Sequence, residues 1–124
     1  MILKMSIFVT MAALGLLLHS NTAHPAHPTT YTVGDSTGWT FGVAGWENGK
    51  NFKAHDKLVF KYAVGRHTAV VVDKSSYDYC TVPDGAPTFT SGNDTITLAK
   101  GHNYFICGVP GHCQAGMKIA ANAA

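Results

Sequence analysis

Charge is scarce in this chain and nearly balanced. Only 13% of its 124 residues are Asp, Glu, Lys or Arg, and nine basic against seven acidic side chains leave a net +2. No basic run occurs, so nothing in the charge pattern supports a nucleic-acid partner. A second long apolar stretch is also missing. The one such run, Ile7 to Leu18, is too short to span a bilayer. The seven residues that follow Met117 hold neither the polar spacer nor the apolar segment of a lipid-anchor tail. No membrane anchor is therefore expected. The sequence has no internal repeat and no low-complexity linker.

Cysteine is also sparse, and its number is odd. Cys80, Cys107 and Cys113 are the only three. The start of the chain reads as a secretory signal, with Lys4 as its basic region, the apolar run after it, and small or polar residues at 20–23. A leader over residues 1–23 is expected, with cleavage after Ala23 or as late as Ala26. Secretion to the extracellular space or cell wall follows, leaving one small domain of about 100 residues. His24-Pro-Ala-His27-Pro is a short lead-in, and the domain proper is expected over residues 30–124. In an oxidising compartment two of the cysteines should pair and the third needs a reason to stay reduced. Three pairings are open. If Cys107 binds a metal as thiolate, the pair is Cys80–Cys113, closing a loop whose entropic effect is roughly 3–4 kcal/mol.

Regular structure is expected to be strand and turn. Tyr31–Val33, Lys57–Tyr62, His67–Val72, Thr95–Leu98, Asn103–Cys107 and Met117–Ala120 have strand length and strand composition. Leu58, Phe60 and Tyr62 fall on one face. Turn residues punctuate them at Val64-Gly65, Pro83-Asp84-Gly85, Ser91-Gly92, Lys100-Gly101 and Pro110-Gly111. Short strands with regular turns argue for an all-β antiparallel sandwich or barrel. Helix is expected to be short at most, with one turn at Tyr77 to Cys80. Trp39, Phe41, Trp46 and Phe52 are expected as core aromatics. His55 and His102 read as surface histidines.

The segment Cys107-Gly-Val-Pro-Gly-His112-Cys-Gln-Ala-Gly-Met117 carries the chemistry. It sets out a thiolate donor, an imidazole and a thioether at intervals of five residues. A thiolate with imidazoles suits copper, iron or zinc, and a weak thioether beside them points to a mononuclear electron-transfer copper. His67, at the head of a strand, offers the second imidazole. Such a site must hold Cu(I) and Cu(II) with little rearrangement. Two imidazoles and a thiolate in a plane, with a distant thioether, lie between the preferences of the two oxidation states. Gly108–Gly111 and Gln114–Gly116 supply the turns that bring the donors together. Structural zinc makes little use of the thioether. A nucleophilic Cys107–His112 pair explains neither Met117 nor His67 and would suffer oxidation outside the cell.

These motifs resemble the phytocyanins, blue copper proteins of plants, and within them the plantacyanin (basic blue protein) subgroup. The resemblance runs from Tyr31-Thr-Val-Gly-Asp35 through Gly38-Trp-Thr-Phe41, Gly45-Trp46, Asp56-Lys-Leu-Val-Phe60 and Tyr77-Asp-Tyr-Cys80. It continues through Gly101–Cys107 and Gly111-His-Cys113 to Gly116-Met-Lys-Ile119. It implies a cupredoxin-like Greek-key β-sandwich. It also implies one type 1 copper ion on His67, Cys107, His112 and Met117, and a Cys80–Cys113 disulfide. A single-electron carrier follows, not an enzyme, expected as a monomer serving an unidentified small redox partner or redox protein. The alternative is a secreted signalling or cell-wall interaction protein of plant reproduction or development, with copper incidental or regulatory. In the family both ligand histidines tend to be accessible. Phytocyanins usually carry Asn after the first ligand His. Here it is Thr68, and it is expected to alter the reduction potential or to loosen the site without abolishing copper. Asn93-Asp-Thr95 matches the N-glycosylation pattern on an expected exposed turn.

Overall fold

A computed structural model of the chain describes residues 27–124. The leader expected over residues 1–23 lies outside them. Among the described residues seven strands run in chain order: β1 Thr30–Thr32, β2 Lys57–Lys61, β3 Ala69–Val72, β4 Thr88–Phe89, β5 Asn93–Thr97, β6 Gly101–Ile106 and β7 Lys118–Ala123. One short α-helix, α1 (Lys74–Tyr79), follows β3, and a single 3₁₀ turn spans Asp35–Thr37. The strands form two sheets, ordered β1-β2-β5 and β4-β3-β6-β7.

Alternation builds the inner faces. Leu58 and Phe60 of β2 point inward and are fully buried, while Lys57 and Lys61 point to solvent. Ile119, Ala121 and Ala123 do the same on β7. Phe60 meets Phe105 across the sheets at 5.2 Å between ring centres, and Trp39 stands edge-on to Phe60 at 4.9 Å. The apolar run of β3 has a different cause. Ala69 faces the space between the sheets, but Val70 faces outward and packs with Ile106 and Cys113 beneath Tyr77 of α1. That strand is covered on both sides, so it reads as continuously apolar.

Three features differ from the sequence expectation. First, β1 pairs with β2 in parallel, Tyr31 opposite Leu58. The long connection over residues 33–56 makes that crossover possible, where a hairpin could not. Second, the helix starts earlier than Tyr77. Asp73 caps it by accepting from the Ser76 amide at 2.8 Å, and Cys80 ends it in the left-handed region at φ 55°. Third, the two-residue β4 has no alternation for a sequence to show.

Candidate metal centre

The ligand segments lie at one end of the sandwich, where β6 runs out and β7 begins. The last paired residues there are Ile106 and Lys118. One step beyond, the Cys107 amide donates to the Met117 carbonyl at 3.0 Å, so the two ladder ends hold the loop 107–117 like a clasp. Inside it, the His112 amide donates to Val109 O, Gly116 N to Cys113 O, and Met117 N to His112 O. These are the two turns expected from the Gly and Pro positions. Cys113, next to His112, is bridged to Cys80 at the end of α1. Cys107 is the one free cysteine and is buried.

His67 comes from the approach to β3, two residues ahead of it. Its Nδ1 lies 3.0 Å from His112 Nδ1 and 4.0 Å from Cys107 Sγ, and Cys107 Sγ is 3.6 Å from His112 Nδ1. Nitrogen and sulfur donors held about 2.0 and 2.3 Å from one ion lie roughly 3–4 Å apart. All three separations fall in that range, so the donors fit a single small soft-ligand metal ion. Burial is the largest cause that pulls the His67 pKa below the ordinary 6.5, followed by the charges of His112 and Arg66. A neutral imidazole is the form that binds a metal. Met117, in the same loop, is completely buried.

Thr68 ties the two ligand segments together. Its Oγ1 accepts from the Gly108 amide at 2.9 Å, and its carbonyl accepts from Trp39 Nε1 at 2.9 Å. A side chain at Gly108 would be tight: an added Cβ would stand 3.0 Å from both Thr68 Oγ1 and Val70 Cγ2, and those side chains would have to give way.

Two expectations fail here. Phe41 is not a core aromatic. It is 48% exposed and packs edge-on against both ligand rings, 5.3 Å from His67 and 4.6 Å from His112. It is carried there by backbone bonds from Gly42 N to Ala115 O and from Ala44 N to Gly116 O. Gly116, at φ 85°, lies so close that a Cβ would sit 3.2 Å from Gly42 Cα. His67 is correspondingly recessed, only 8% exposed, while His112 is half-buried. No periodicity marks Phe41 as a site residue; an aromatic next to Gly42 in a strandless loop was the only signal. Asn93 and Thr95 are exposed, but on strand β5 and not on the expected turn, paired to β2 with Asp94 turned inward. His55 and His102 are exposed and stand outside the donor cluster.

A two-sheet sandwich with a buried cysteine sulfur and two imidazoles converging at one end defines a cupredoxin-type copper site. Residues 39–117 match the family described as plastocyanin-like domain. The chain belongs to that family and, within it, to the basic blue protein (plantacyanin) group. It is 56% identical over 99 residues to chemocyanin of Lilium longiflorum, covering 80% of this chain and 79% of that protein. It is 50% identical over 118 residues to a basic blue protein of Arabidopsis thaliana, covering 95% and 89%. Among solved structures, cucumber basic protein, a blue copper protein, superposes with a TM-score of 0.76 at 51% identity, covering 77% of this chain and all of that one.

Proposed function

We propose that this protein is a one-electron carrier whose one type 1 copper would be held by His67, Cys107, His112 and Met117. The observation that carries this reading is the convergence of two Nδ1 atoms and one buried Sγ within 4.8 Å. The copper, when bound, supplies Cu(I)/Cu(II) cycling at a potential set by its donors and their surroundings. The chain's own contribution is rigidity. The disulfide anchors Cys113 beside His112, Thr68 joins the two ligand segments, and the β6–β7 clasp fixes both ends of the loop. Donors held this way need not move when the charge on the ion changes, which keeps the cost of electron transfer low.

Phe41 packs edge-on against both histidine rings, and the half-buried His112 edge gives electrons a way in and out. No substrate is transformed, and the redox partner is a small molecule or a protein. We further propose a leader over residues 1–23, a secreted monomeric domain over 30–124, and a glycan on Asn93, whose side chain points to solvent from the edge strand β5. Among the described residues no helix is long and apolar enough to cross a membrane. A reductive titration of the copper-loaded protein tests the function. Reversible bleaching by one electron per copper is expected; irreversible loss of copper on reduction would refute the carrier role.

A further inference from the structure

A second feature adjoins the metal centre. A cleft of about 330 Å³ opens beside His67, with Phe41 as one wall. That volume lies at the small end of the range for small-molecule sites. Lys61 and Arg66 stand on its rim, both exposed, and Thr37 and Thr40 also line it. No carboxylate lines it. Among the described residues neither cation has an acidic partner, and the only ion pair there joins Lys74 to Asp78. Asp94, behind Tyr62, is buried and taken up by Ser91 and the Tyr62 hydroxyl. Two cations without an acidic partner thus flank a space that ends at a metal-ligand ring. His67 is recessed at 8% exposure, so a flat protein face does not reach it, whereas a small molecule inside the cleft does.

We propose that this cleft is the docking site of a small anionic electron donor, such as a compact organic acid, held by Lys61 and Arg66 against His67. The inference rests on the one-electron carrier reading above. With copper bound, the site would take one electron from the donor, which would leave as its one-electron-oxidised form; any O–H proton it sheds passes to water through the open cleft, and no bond to the protein is made or broken. Paired positive charges in a cleft raise both the local concentration of an anion and its rate of arrival.

Binding and electron transfer are tested separately. Hexacyanocobaltate(III), a redox-inert trianion, is titrated into the reduced copper protein while backbone amide shifts are followed. Saturable shifts centred on residues 37–41 and 61–67 are expected. In the Lys61→Gln/Arg66→Gln double variant the Kd should rise about tenfold, and reduction of the oxidised protein by ascorbate should slow by a similar factor. A Lys57→Gln/Lys100→Gln variant, matched in net charge, should change neither. Reduction by neutral hydroquinone should stay within about twofold in both variants. Shifts centred elsewhere, or equal effects of the two double variants, would overturn the proposal. If hydroquinone fails to reduce even the wild type, it is the carrier reading that falls, and anion binding is still decided by the titration.

Discussion

The Thr68 hydroxyl oxygen accepts a hydrogen bond from the Gly108 amide at 2.9 Å across 40 residues of sequence. One end of this bond adjoins the ligand His67 and the other adjoins the ligand Cys107. Replacing Thr68 with Val keeps the shape and removes the acceptor, leaving a partly buried N–H unpaired. A loss of about 1–2 kcal/mol is expected in chemical denaturation of the metal-free protein. Thr68→Asn places a longer amide at the same point, beside the thiolate. Because hydrogen bonding around the sulfur tunes the site, a shifted reduction potential is expected by spectroelectrochemical titration. An unchanged potential would show that Thr68 has no part in tuning.

The Cys80–Cys113 bridge spans 33 residues and fixes the position next to His112. A double Cys80→Ser/Cys113→Ser variant should lose roughly 3–4 kcal/mol by the loop-entropy relation. It should also bind copper more weakly, since His112 is then held by the loop alone. Parallel denaturation and copper-competition titrations measure both effects.

Much of this centre was legible in the sequence because its donors cluster. Three of the four proposed ligands lie within eleven residues, and the odd cysteine count left one thiol over, which the metal reading assigned to Cys107. His67 was legible as the imidazole heading an apolar strand. Phe41 was not. Its position depends on backbone bonds from the 42–44 segment to Ala115 and Gly116, which no local pattern encodes. The inward pattern of β2 was clear because one face is solvated. The parallel pairing of β1 was not, since a three-residue strand carries no information about its neighbour's direction.

Tyr62 gives a pH test. Burial, then its hydrogen bond to Asp94, push its phenol up to about 12 from 10.0. A folded pKa above the unfolded one means that the native state keeps its proton longer. The stabilisation is therefore complete below pH 10.0 and is lost as pH rises toward about 12. Wild-type stability should fall across that window, as measured by denaturant midpoint against pH. Tyr62→Phe should be less stable at neutral pH, because Asp94 loses a donor, and should show a flatter alkaline decline.

Met117 is completely buried in the ligand loop. Losing a weak donor lowers the coordination number, which favours Cu(I) over Cu(II), so Met117→Leu should keep the blue colour and raise the reduction potential. A Leu variant identical in potential to wild type would mean that the sulfur does not act on the metal.

The role of Cys107 is tested most directly by the visible absorption spectrum of the protein loaded with one equivalent of Cu(II), wild type beside Cys107→Ser. An intense blue thiolate-to-Cu(II) band in the wild type, absent from the serine variant, is expected. A colourless wild-type copper complex, or the same band in Cys107→Ser, would contradict copper ligation by Cys107 and with it the blue-copper function.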